Sequence, residues 1–146
     1  MLLDPADVST GGFVKILIVD DSRLLRISNE RALVRAGYHV ISAEDGEAGL
    51  RLAIEHKPDL VVLDMMLPKL SGPEVLRAIR SNPETASIPV MVLWGLPQCN
   101  ENKLLNEGAT AYFRKSGLKF ENGPRNFVDT VERLLLKIKL KAAGVH

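Results

Sequence analysis

Short apolar runs alternating with amphipathic segments predict an α/β fold, with parallel strands joined by right-handed crossovers and helices on both faces. Two of the runs end on acids: Lys15-Ile16-Leu17-Ile18-Val19 meets Asp20-Asp21, and Val61-Val62-Leu63 meets Asp64. A third, Ala111-Tyr112-Phe113-Arg114, ends on Lys115. Runs that are apolar throughout suit strands buried on both sides. Charges at their carboxyl ends fall on the edge where open α/β sheets bind ligands.

The first strand is predicted at about 14–19. Asp20-Asp21-Ser22 breaks it, and Asp21 or Ser22 can cap the helix that follows by accepting a backbone N–H bond. That helix runs to Ala36, with Gly37 in the position that tolerates a left-handed backbone. Its apolar stripe of Leu25, Ala32, Leu33 and Ala36 is interrupted by Ser28 and Asn29. Strand two is predicted at 38–43, with Glu44-Asp45-Gly46 as a turn. Leu50, Ala53 and Ile54 give the next segment helical spacing. Lys57-Pro58-Asp59 stops it before strand three, 60–63. Ser71-Gly72-Pro73 opens the third helix, with Val75, Leu76 and Ile79 as its inner face. Strand four covers 89–94, a short helix about 98–107 stops at Gly108, and strand five covers 111–114. The polar stretch 116–125 is expected to be a loop, and the last helix runs from about 126 to 142. Phe127, Val131, Leu134, Leu135 and Ile138 line its inner side.

The 146 residues fit one domain, and 46% apolar with 25% charged residues is globular usage. Residues 1–12 lack periodicity and end in Ser9-Thr10-Gly11-Gly12, so they are expected to be a flexible tail or linker remnant before a domain at 13–143. A formal net charge of +1 gives no global field toward nucleic acid or a membrane surface. The single Cys99 rules out an internal disulfide framework. No apolar run approaches the roughly 18–20 residues that span a bilayer. The N-terminus lacks a basic region and carries acids early, unlike a secretory signal. A cytoplasmic domain is expected.

In a flavodoxin-like sheet, order 2-1-3-4-5 with five helices, strands one and three are neighbours. Asp20, Asp21 and Asp64 then converge with Lys115 on one edge. Crowded carboxylates repel, and a hard cation such as Mg²⁺, with its preference for carboxylates, water and phosphate oxygens, neutralises them. Asp64 can then serve as a nucleophile on phosphorus, with Lys115 a compact charge for the transferring group. His39, His56 and His146 match no ligand spacing.

The stretches Ile18-Val19-Asp20-Asp21-Ser22, Asp64-Met65-Met66-Leu67-Pro68-Lys69-Leu70-Ser71-Gly72 and Gly108-Ala109-Thr110-Ala111-Tyr112-Phe113-Arg114-Lys115 carry a resemblance. Together they resemble the receiver domain of a two-component response regulator, similar to the chemotaxis response regulator, over almost the whole chain. The resemblance implies that Asp64 accepts a phosphoryl group from a histidine kinase or phosphotransfer protein. It implies Mg²⁺ held by Asp20, Asp21, Asp64 and the backbone carbonyl of Met66, and Lys115 contacting the phosphoryl group. It makes Tyr112 the switch aromatic. Pairing of two copies through helix four, strand five and helix five is a further expectation, with output by protein contacts and no direct role for nucleic acid or membrane.

Three departures stand out. Trp94 replaces the Ser or Thr expected at the switch position, followed by a fitting small residue, Gly95. Indole has one N–H donor and no hydroxyl, and its bulk obstructs the pocket that Tyr112 would enter. Ser116 replaces the proline expected after Lys115, and a cis Lys–Ser bond would cost about 2.5–4 kcal/mol. The 116–125 segment is also several residues longer than expected. Trp94 and Ser116 raise an alternative, a pseudo-receiver that docks partners without phosphorylation. A haloacid dehalogenase-type phosphatase also uses a strand-end Asp, but wants a second acid where Met66 stands.

Overall fold

The computed structural model describes residues 14–94, 101–114 and 123–144. Five strands form one parallel sheet: β1 (Lys15–Val19), β2 (His39–Ala43), β3 (Leu60–Asp64), β4 (Val90–Trp94) and β5 (Ala111–Arg114), in the order β2-β1-β3-β4-β5. Five helices lie among the described residues: α1 (Arg23–Arg35), α2 (Gly46–His56), α3 (Gly72–Ser81), α4 (Glu101–Asn106) and α5 (Gly123–Ala142). This is the flavodoxin-like arrangement that the alternating runs predict.

The strands divide their side chains between two cores. Ile16, Ile18, Leu60, Val62, Met91 and Leu93 face Leu33 of α1 with Phe127 and Val131 of α5. Leu17, Val19, Val61, Leu63, Val90, Val92 and Trp94 face Ala53 of α2 with Val75, Leu76 and Ile79 of α3. Every residue of β3 is buried. Each such aliphatic side chain contributes about 1.5–3 kcal/mol by leaving water. Phe113 of β5 meets Phe127 edge-on at 5.8 Å, which fixes α5 against the sheet edge.

The helix boundaries follow local chemistry. The Ser22 hydroxyl accepts from the Leu25 amide at 3.4 Å and caps α1. Gly37 takes a φ of 101° just beyond its end, where a side chain would strain the backbone. The α1 stripe continues through Asn29, which is buried with Leu25 and Leu33, while Ala36 is exposed. Ser71 and Glu74 form a reciprocal capping box at the start of α3, with Pro73 in the first turn.

Three expectations need adjustment and one cannot be compared. Asp64 is the last residue of β3 rather than the residue after it. Asp45 is no mere turn residue, because it caps α2 by accepting from the Ala48 amide at 2.8 Å. α5 begins at Gly123, so part of the expected loop is helical; Pro124, which lacks an N–H, fits a first turn where amides have no intrahelical partner. α4 is described from Glu101 onward, and its expected start at 98–100 lies outside the described residues.

Two glycines set how closely the loop after β3 approaches its neighbours. A Cβ on Gly46 would run into the Leu70 carbonyl oxygen, a backbone atom that cannot swing aside. A Cβ on Gly72 would stand 2.5 Å from the Asp64 carbonyl oxygen and the Met65 Cα. Gly46→Ala is expected to cost about 1–3 kcal/mol by overpacking, seen as a lower midpoint in urea unfolding. An unchanged midpoint would show that the loop yields without cost.

Candidate functional site at the carboxyl edge of the sheet

The parallel pairing of β1 with β3 sets Val19 opposite Leu63, so the next residues, Asp20 and Asp64, emerge side by side. Asp20, Asp21 and Asp64 each present a carboxylate oxygen within 4.8 Å of the others. Asp20 is fully buried and Asp64 is 4% exposed, while Asp21 faces solvent. Two unit charges at this spacing repel by about 1 kcal/mol in water, and about 3–4 kcal/mol at an effective dielectric of 20. Burial on two of the three therefore sharpens a repulsion that a cation relieves.

Local bonds aim the acids. The Asp20 amide donates to the Ala43 carbonyl at 3.1 Å, extending the β1–β2 ladder by one residue. One Asp20 carboxylate oxygen accepts from the Ser22 amide at 2.9 Å. One Asp64 oxygen accepts from the Met66 amide at 3.2 Å. The Met65 amide donates to the Leu93 carbonyl at 3.0 Å and the Gly72 amide to the Met65 carbonyl at 3.2 Å, so the chain beyond Asp64 is held on both sides. The Met66 side chain is 60% exposed at the mouth of the site.

Sequence reasoning missed the tie between this loop and α2. Lys69 adopts a φ of 69°, and the Leu70 amide donates to the Pro68 carbonyl at 2.8 Å, which makes 68–70 a γ-turn. The Gly46 amide reaches the same Pro68 carbonyl, and the Lys69 ammonium lies 3.5 Å from the Asp45 carboxylate. Arg26 was missed too: its guanidinium donates to the Asp20 backbone carbonyl at 2.8 Å. Neither Lys69 nor Arg26 belongs to a periodic pattern or a strand end, and only the fold brings them to the rim.

Trp94, the last residue of β4, is 5% exposed and packs in the core with Val90 and Val92. Its ring lies 4.9 Å from that of Tyr112 at a tilt of 49°. Tyr112 is 38% exposed. The buried indole thus packs against the ring of the more exposed Tyr112. Gly95, Lys115, Ser116 and Cys99 lie outside the described residues. The structure therefore brings together three of the four charged residues singled out for the site. His39 is exposed, His56 lies 3.5 Å from Glu55, its neighbour in sequence, and neither belongs to the carboxylate cluster found among the described residues.

With this geometry in hand, comparison with known proteins is direct. Residues 16–120 match the response regulator receiver domain family. The response regulator MprA of Mycobacterium sp. (strain KMS) is 42% identical over 103 residues, covering 70% of this chain and 44% of that protein. The alkaline phosphatase synthesis transcriptional regulatory protein PhoP of Bacillus subtilis (strain 168) is 41% identical over 102 residues, covering 69% of this chain and 42% of that protein. Among solved structures, chemotaxis protein CheY4 of Vibrio cholerae aligns with a TM-score of 0.73 at 28% identity, over 84% of this chain and 99% of that one. A receiver domain protein from Clostridium thermocellum aligns with a TM-score of 0.74 at 29% identity, over 88% and 98% respectively. The chain belongs to the response regulator receiver domain family, and it spans less than half the length of the curated relatives it matches.

The Asp45 carboxyl is held below its ordinary range, first by the bond from the Ala48 amide and further by Lys69, against an opposing effect of burial. A carboxylate whose pKa is lowered by folding stabilises the fold above its unfolded value, near 4. That contribution disappears as pH falls through the folded value. Asparagine caps a helix as well but does not titrate. Lowering the pH below about 4 is therefore expected to shrink any advantage of the wild type over Asp45→Asn in urea midpoint. A gap that stays constant down to strong acid would count against it.

Proposed function

We propose that this receiver takes a phosphoryl group on Asp64 from a histidine kinase or a phosphotransfer protein and relays the signal by protein contacts. The observation that carries this reading is the convergence of Asp20, Asp21 and Asp64 within 4.8 Å at the carboxyl edge of a receiver fold. In the transfer, an Asp64 carboxylate oxygen attacks phosphorus while the phosphorus–nitrogen bond of the donor's phosphohistidine breaks. The bonding electron pair returns to the imidazole nitrogen. The donor set fits a hard divalent ion: Asp20, Asp21, Asp64 and the Met66 backbone carbonyl would hold Mg²⁺. When bound, the ion offsets charge on the phosphoryl oxygens. Lys115, which follows β5, is assigned the remaining contact to those oxygens.

The chain's own residues prepare the reaction. Burial at 4% exposure limits water around the Asp64 carboxylate, and the Met66 amide orients one of its oxygens. We take 13–143 as the functional unit and assign it to the cytoplasm, where phosphohistidine donors operate. No helix among the described residues is long and apolar enough to cross a membrane. Beyond gaining and losing its own phosphoryl group, the domain is assigned no enzymatic turnover. Leu105 and Tyr112 are exposed on the face made by α4, β5 and α5, which supports pairing of two copies there.

Incubation of the full chain with acetyl phosphate and Mg²⁺ tests the assignment. Intact-mass spectrometry is expected to show one added phosphoryl group on the wild type, none on Asp64→Asn, and none on the wild type with excess chelator. Equal labelling of Asp64→Asn would overturn the choice of acceptor. Trp94 is the single tryptophan and sits one residue past the partner of Asp64 in β4, so its emission is expected to change as the site fills.

A further inference from the structure

The two acids that follow β1 are joined by one peptide plane, and that plane is tied down from outside the cluster. Arg26 reaches back from the second turn of α1, and its Nη1 donates to the carbonyl oxygen of Asp20 at 2.8 Å. Its Nη2 stands 3.9 Å from the Glu44 carboxylate, just past the end of β2. The Arg26 side chain is 14% exposed and Glu44 is 74% exposed, so the inner contact is sheltered and the outer one is wet.

Resting on the reading of the site just given, we propose that Arg26 is a positioning residue for the Asp20–Asp21 pair. The peptide between these residues is planar and rigid. Its oxygen therefore reports ψ of Asp20 and φ of Asp21, the two torsions that set how the Cα–Cβ bonds of the two acids are oriented relative to each other. Holding that oxygen holds both acids in register with Asp64. Arginine suits the task because its planar fork addresses two acceptors at once, while lysine offers one compact charge.

Arg26 also brings a permanent positive charge to the rim, and this makes the proposal decidable. Acting only as a charge, Arg26 opposes Mg²⁺, and its removal would tighten binding. Acting through the Asp20 carbonyl, it aims the ligands, and its removal weakens binding. Positioning is the stronger of the two here because the donor is sheltered and aimed at the main chain.

The test is a calorimetric Mg²⁺ titration of the full chain as wild type, Arg26→Gln, Arg26→Lys and Glu44→Gln, with thermal unfolding of each. Both arginine variants are expected to lose about 10-fold in Mg²⁺ affinity, the usual scale for residues that orient ligands. Glu44→Gln is expected to change little. Should Arg26→Gln fail to fold, Arg26→Lys, which keeps the charge and stem, carries the comparison. Tighter binding by Arg26→Gln with wild-type binding by Arg26→Lys would make Arg26 a charge and overturn the proposal. Unchanged affinity with a lower melting temperature would make it a brace only, and overturn it equally. A wild type that takes up no Mg²⁺ would remove the reading of the site itself, whereas wild-type uptake matched by both variants removes only the role of Arg26.

Discussion

Everything at the functional edge depends on the in-register parallel pairing of β1 with β3. Val19 opposite Leu63 leaves Asp20 and Asp64 as the next residues out, with one buried completely and the other almost so. Carboxylates in such places are costly to desolvate and repel one another. They stay because the strands beneath are bound on both faces by aliphatic cores that cannot be satisfied in any other register. Slipping β3 by one residue would turn Leu60 and Val62 toward the α2–α3 side and break both cores at once. The acids are thus held together by the register that hydrophobic packing imposes on the strands beneath them.

Main-chain carbonyls at each edge of the sheet receive an arginine. At the carboxyl edge Arg26 binds the Asp20 carbonyl. At the opposite edge Arg80 of α3 donates to the carbonyls of Gly108, Ala86 and Ile88, at 2.9, 3.1 and 2.6 Å. Burial pushes the Arg80 pKa below its ordinary value, though a guanidinium so far from neutrality stays charged. Arg80 joins α3 to the segments that start β4 and β5, away from the one carboxylate cluster found among the described residues. The same chemistry therefore serves plain fastening at one edge and control of acidic side chains at the other. The difference lies in what the bound carbonyl is attached to.

The fold was legible because its signals are local or periodic. Four consecutive aliphatics before Asp20 and four before Asp64 mark strands that must be covered on both sides, and strand-end acids mark the edge without any knowledge of packing. Ser22, Ser71 and Gly37 announce helix ends by their own backbone chemistry. What stayed hidden is relational. Asp45 resembled a turn residue until the Ala48 amide and the Lys69 ammonium were brought to it from two segments. Asn29 looked like an interruption of the α1 stripe, yet the helix buries it along with Leu25 and Leu33. The early start of α5 was masked by glycine and proline, which read as loop residues unless a helix is known to begin there.

Trp94 stands one residue beyond the point where backbone ties the acidic edge to β4. Asp64 pairs with Leu93 across the β3–β4 ladder, and the Met65 amide donates to the Leu93 carbonyl. A shift at Asp64 therefore reaches the residue before Trp94 through backbone, with no side chain needed. Beyond that point a hydroxyl would pass the shift on by hydrogen bonding, but an indole buried to 5% exposure acts through its volume. Tyr112 packs on that indole at 4.9 Å, and the residue is 38% exposed. For Tyr112 to move inward, Trp94 must move first, because close-packed interiors hold no spare space for a second ring. The acidic edge and the exposed side of β5 are thus separated by one backbone link and one ring contact.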